Sequence, residues 1–234
     1  MSESEKSLAD VALEGFLNHE ENFQIFYKYQ SINDYSIDAL ANGYQYFSTF
    51  AQLNDPFDPF LSLMAKSLGD SKFAEVANVG PRIFCLTEHC TNAQMWAHYA
   101  NSGSGMCIGY ACFIGTPRIL NPVNYVGKVP ESADLLELLS LKHESWTYEK
   151  EWRITWAGGD QKIYDVLHPV TIYLGPRCSN DDMLRVRQVL PATVTEFEIM
   201  YPHIENGVFS LARYSIEELL SELGHLPSID ELTS

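Results

Sequence analysis

The order of apolar segments constrains the fold of this chain more than any other feature. Phe23–Gln30, rich in Phe, Ile and Tyr, reads as a strand. Asn33 or Asp34 caps a helix through Ala41, where Ile37, Leu40 and Ala41 keep helical spacing, and Gly43 stands where a left-handed cap belongs. Tyr44–Phe50 is a second strand, and others are expected at Arg82–Leu86, Met106–Phe113, Tyr148–Ala157, Val170–Leu174, Val194–Met200 and Val208–Tyr214. Helices are expected at Ala9–Leu17, from the Asp55 N-cap with Pro56 at the first helical position to Leu68, over Asn92–Tyr99 and Ser132–Leu141, from Ser179 to the stop at Pro191, and from the Ser215/Glu218 capping box to Gly224. Strands and helices therefore do not alternate strictly, which argues for an α+β fold and against a doubly wound parallel sheet.

No repeat and no low-complexity linker divides the chain. The organisation expected is an N-terminal helical extension at 1–22, one α+β domain at 23–214, and a C-terminal helix and tail at 215–234. Fifteen Lys and Arg stand against 31 Asp and Glu, a formal charge of −16. Such a surface repels a phosphate backbone, so duplex DNA is not an expected ligand, while an acidic surface could meet a basic protein. No stretch reaches the roughly 18 apolar residues of a membrane span, and Met1–Asp10 lacks the basic and apolar regions of a signal peptide. A cytoplasmic protein with no membrane partner is the expectation. The five cysteines are an odd number without a CxxC pair, which fits reduced thiols, and the Cys85, His89, Cys90 and His98 spacing matches no common zinc pattern. No metal site is expected.

Four segments carry the candidate chemistry. The first is Trp146-Thr147-Tyr148-Glu149-Lys150-Glu151-Trp152-Arg153. On a strand Glu149, Glu151, Arg153 and Thr155 share a face, with the two carboxylates about 7 Å apart. Arg153 is placed to compensate them. Such a pair suits stabilisation of a developing cation or removal of a proton, and equally fits a solvated polar face. The second is Met95-Trp96-Ala97-His98-Tyr99-Ala100, where Trp96 and Tyr99 share a side of a helix. There His98 is a proton shuttle or holds a flat ring, against the more common outcome of a satisfied structural histidine. The third joins Tyr27-Lys28-Tyr29 to Ser48-Thr49 at the end of the next strand. Lys28 in an apolar strand calls for an anion, and the two hydroxyls can donate to a ligand. The fourth is Asn54-Asp55-Pro56-Phe57-Asp58. Capping accounts for Asp55 and Pro56 but not for Asn54 and Asp58. There is no Walker loop, GxGxxG or HExxH.

Taken in order, Tyr27-Lys28-Tyr29, Tyr46-Phe47-Ser48, Asn54-Asp55-Pro56-Phe57-Asp58, Met95-Trp96-x-His98-Tyr99-Ala100, Gly105-Met106-Cys107-Ile108-Gly109, Trp146-x-Tyr148-Glu149-Lys150-Glu151-Trp152-Arg153 and Ile172-Tyr173-Leu174-Gly175 resemble a widespread bacterial and phage family long labelled a domain of unknown function. The resemblance covers roughly residues 25 to 200 and loosely implies a phage-defence or abortive-infection setting. A second resemblance is to the ADP-ribosyltransferase core, a split β-sheet with flanking helices. It implies NAD as substrate, with Tyr27 or Tyr29 gripping the ribose and Ser48 and Thr49 shaping the nicotinamide pocket. Glu149 or Glu151 would stabilise the ribosyl cation. Lys28, Asn54, Trp96, Tyr99 and Arg153 complete the expected NAD-binding set, and His98 joins the two glutamates as a catalytic candidate. The first strand departs from that family in having no His or Arg, and Glu151 is followed by Trp-Arg. The leading expectation is an ADP-ribosyltransferase-like enzyme, a defence or toxin effector modifying a nucleic acid or protein. The alternative is a non-catalytic binding or sensor module of the same fold. A third reading, a metal-dependent nuclease or hydrolase, would use Asp55, Asp58 and Glu149.

Overall fold

The structure, a computed structural model, describes residues 23–58, 82–113, 120–130, 135–156, 159–228 and 231. The helix expected at Ala9–Leu17, the extension at 1–22 and most of the helix after Pro56 lie outside the described residues. The architecture is mixed α+β, as the irregular order of strands and helices predicts. Its residues group into two compact units built from interleaved segments.

The first unit gathers the described parts of Met1–Tyr44, His89–Cys112 and Asp165–Ser234. Its strands are β1 (Phe23–Gln30), β4 (Met106–Phe113), β10 (Pro169–Leu174), β11 (Glu196–Glu205) and β12 (Val208–Ser215), in the spatial order β12-β11-β10-β4-β1. β10 and β11 run parallel because helix α4 (Asn180–Gln188) carries the chain between them, whereas β4 with β10 and β11 with β12 are antiparallel. The caps read from sequence are in place. Asn33 accepts from the Ser36 amide at the start of α1 (Asp34–Asn42), and Gly43 closes it at φ 67°. Ser179 caps α4, and Ser215 caps α5 (Ile216–Leu223), which ends at left-handed Gly224. Helix α2 (Ala93–Tyr99) is capped by Asn92, whose side chain accepts from the Gln94 and Met95 amides. β11 runs five residues past its expected end at Met200. Asn206-Gly207, both at positive φ, make the two-residue turn that lets it pair with β12 to the last residue.

The second unit gathers the described parts of Gln45–Glu88 and Phe113–Tyr164. Strand β8 (Glu151–Trp156) lies between β3 (Arg82–Thr87) and β5 (Leu120–Pro122), antiparallel to both. β6 (Asn124–Val126) pairs in parallel with β7 (Leu141–His143), and β2 (Tyr44–Tyr46) pairs with β9 (Lys162–Tyr164). The expected strand Tyr44–Phe50 is shorter than its pattern. After Tyr46 only Ser48 makes a bridge, to Ile83, and Phe50–Gln52 coil into a 3₁₀ turn. Short helix α3 (Leu135–Ser140) leads into β7 and puts Leu138 and Leu139 into the core. Phe47 stacks on Phe84, and Phe50, Ile83 and Leu139 form a core cluster with Leu53 and Cys85 packed against it. The expected strand Tyr148–Ala157 begins late. Glu144–Glu149 form a 3₁₀ turn, and Lys150 sits in the left-handed region at φ 47° before the extended run starts at Glu151. A non-glycine residue there costs of order 1 kcal/mol, which its surroundings must offset.

Candidate functional site

The second unit holds a cluster of charge out of water. Arg153 on β8 is 2 % exposed, Glu149 at the end of the 3₁₀ turn 3 %, and Glu151 on β8 5 %. Asp58 and Lys142 are buried beside them. Strand alternation puts Glu151 and Arg153 on one face, and the Arg153 Nε donates to Glu151 Oε1 at 2.7 Å. The other end of the guanidinium takes Asp58 with both nitrogens, Nη1 to Oδ1 at 3.1 Å and Nη2 to Oδ2 at 3.2 Å. Nη1 also donates to the Leu139 carbonyl at 2.8 Å.

Lys142 on β7 is the second cation. Its Nζ donates to Glu149 Oε2 at 2.5 Å and Glu151 Oε2 at 2.6 Å, and lies 5.1 Å from the centroid of the Trp146 ring. Glu151 therefore spends one oxygen on each cation. The surrounding main chain is also tied. Glu151 N donates to the Tyr125 hydroxyl, Thr87 Oγ1 to the Glu149 carbonyl, and the Phe57 and His143 amides to the two oxygens of buried Asp55.

Burial works against the charge of Glu151, Asp58, Lys142 and Arg153, and its balance with their partners differs from group to group. For Glu151 burial raises the carboxyl, but Arg153 and then Lys142 outweigh it and hold it at about 2. For Asp58 burial prevails over Arg153, and the carboxyl is pushed up to about 6. Lys142 and Arg153 are both held firmly protonated, burial being outweighed by two carboxylates together, Glu151 and Glu149 for the lysine and Glu151 and Asp58 for the arginine. Burial also pushes the Tyr125 phenol up to about 12, so it is a neutral hydroxyl at the Glu151 amide. With all five groups ionised, three carboxylates face two cations.

The structure brings Glu149, Glu151 and Arg153 together, as their spacing suggests, but by another route. Arg153 compensates Glu151 and Asp58, and Glu149 is held by Lys142 instead. Asp58 earns the weight that capping left unexplained. Among the described residues no group of three or more His, Cys, Asp or Glu is arranged to hold a metal ion, Asp55, Asp58 and Glu149 included. Elsewhere in this unit Ser48 bridges to Ile83 through its main chain, Thr49 donates to Gln52 Oε1, and Asn54 is exposed in the turn. Sequence reasoning passed over Lys142. A single Lys after a Leu-rich helix carries no local mark, and only its burial identifies it.

The other expected residues belong to the first unit. Tyr29 is core: its hydroxyl donates to the His89 carbonyl at 2.9 Å and accepts from the Asn92 amide, and its ring meets buried Trp96 edge-on at 5.1 Å. Trp96 Nε1 donates to the Cys90 carbonyl. These two buried rings hold the loop before α2 through its carbonyls and are part of the core. Tyr27 is half-buried, 6.3 Å from the Tyr173 ring, and Lys28 is half-buried on the same strand. His98 is exposed on α2, its ring 6.4 Å from that of half-buried Tyr99. Among the described residues no helix is long and apolar enough to cross a membrane. Comparisons with protein-family models, with curated proteins and with solved structures find no match to this chain.

Proposed function

We propose that this chain works by binding a protein rather than by turning over NAD, as a non-catalytic module. One observation carries the reading: Glu151 gives one oxygen to Arg153 and the other to Lys142, and Glu149 is buried against the same lysine. A carboxylate that stabilises a ribosyl cation must reach the reacting carbon with its charge uncommitted. Here the charge of the Glu-x-Glu pair is met by cations inside the unit. Such a network fixes one arrangement of the turn, β7 and β8, the use of buried ion pairs best supported as a source of specificity. The −16 charge of the chain favours a basic protein over a nucleic acid.

The second reading, an ADP-ribosyltransferase-like enzyme, is favoured by the excess of one carboxylate in the cluster, a local field that would attract a cation. Nicotinamide release from NAD separates the two. The binding reading expects no release with or without cell lysate, and no thermal shift by NAD. Release by the wild-type chain that Glu149→Gln abolishes, with the fold intact, would overturn it in favour of the enzyme.

A further inference from the structure

The β11–β12 hairpin is built unlike the rest of the first unit. From Pro202 to Ser210 every residue is exposed, on both faces of the ribbon, so the hairpin tip stands clear of the unit's core. Register puts Ile204 opposite Phe209 and Pro202 opposite Leu211 on one face. Phe209 is 84 % exposed, Val208 65 % and Ile204 61 %. Single exposed apolar residues are ordinary, but Ile204 and Phe209 stand paired on one face of the tip, with Val208 on its other face, and such an apolar tip marks a contact surface. β12 is also the end strand of its sheet order among the described residues, and edge strands of soluble proteins are usually guarded by charge. Its one charged residue, Arg213, is engaged sideways with Glu196 and Glu198 and donates to the Tyr173 hydroxyl.

Charge selects the occupant. Glu205 is the one Asp, Glu, Lys or Arg among the exposed residues 202–210, and the whole chain carries −16. A chain of this charge repels anionic lipid and nucleic acid, and a second copy carries the same −16. We propose that this hairpin is a docking element that inserts Phe209 and Ile204 into an apolar pocket rimmed by Lys and Arg on a protein partner. The proposal rests on the binding reading above and names its surface and the chemistry of its partner. An exposed aromatic anchor is typical of an interface hot spot, and complementary charge on the partner steers the encounter.

The test places a photo-crosslinking phenylalanine analogue at position 209 of the full chain in its host cells and sequences the crosslinked peptides. Expected is a different protein, crosslinked at an apolar site flanked by Lys or Arg. The purified pair should bind with at least about 30-fold loss on Phe209→Ser, and more weakly as salt rises. Crosslinks only to a second copy, only to lipid, or to nothing would overturn the proposal, as would binding that Phe209→Ser leaves unchanged. An unshifted urea midpoint for Phe209→Ser, expected from its exposure, shows that the fold is kept. Nicotinamide release is measured on the same samples. Release by a chain that still docks overturns the non-catalytic reading alone, and absent docking without release overturns the hairpin alone.

Discussion

Replacing Glu151 by Gln tests whether the buried cluster holds the second unit together. The substitution keeps shape and removes the charge on which both cations converge, Arg153 at 2.7 Å and Lys142 at 2.6 Å. In the folded chain the carboxyl is held at about 2 against its ordinary 4.5. At 1.36 kcal/mol per pKa unit that difference corresponds to about 3 kcal/mol of stability at neutral pH. Removing one partner of a buried pair costs about 3–5 kcal/mol, and the low end applies here because Lys142 keeps Glu149 and Arg153 keeps Asp58. The two estimates agree in size, and both are a large part of the stability of an ordinary domain. Urea unfolding at pH 7 should show the loss as a lower midpoint at unchanged slope. The sign of its pH dependence is fixed. The folded pKa is depressed, so the contribution is complete above about 4.5 and fades as pH falls toward about 2. The wild-type advantage over Glu151→Gln should shrink across that window. A difference under about 1 kcal/mol at pH 7 would refute the reasoning and return the cluster to the weak effects of exposed ion pairs.

Asp58 should behave in the opposite sense. Its folded pKa is raised to about 6 from 3.8, so the folded chain holds a proton that the unfolded chain has lost between those values. Stability should fall by about 3 kcal/mol as pH rises through that window, and the wild-type minus Asp58→Asn difference in urea unfolding should carry the slope; a flat difference would contradict it. In the first unit Gly105→Ala would put a Cβ 2.3 Å from the Gln30 carbonyl oxygen and 2.9 Å from the Ala100 backbone. A loss of about 3 kcal/mol in thermal or urea unfolding is expected, against about 1–2 kcal/mol for Gly207→Ala, where the added carbon meets open space and only the positive φ resists; equal losses would remove the close approach as the cause.

The local signals settled what local physics controls. Asn33, Asn92, Ser179 and Ser215 cap the helices they precede, and Gly43 and Gly224 close theirs, because a cap involves groups within one turn. Irregular alternation of strand and helix was enough for the α+β class. The Glu151/Arg153 face followed from the period of a strand, and Asp58 stood out as a residue its turn did not require. Tertiary structure decided the rest. Tyr148–Ala157 has a strand pattern throughout, yet buried contacts to Thr87 and Lys142 hold Glu149 in a 3₁₀ turn, and left-handed Lys150 resets the chain before β8. An aromatic residue on a strand is usually core, the leading expectation for Tyr29 beside that of gripping a ribose, and a hydrogen bond to the His89 carbonyl with an edge contact to Trp96 made it so. Lys142 had no signal at all. What a lysine does depends on which carboxylates the fold brings within reach, and here they come from residues seven and nine positions further along the chain. Caps and strand faces are set by neighbours in sequence, whereas the meaning of a charge is set by its neighbours in space.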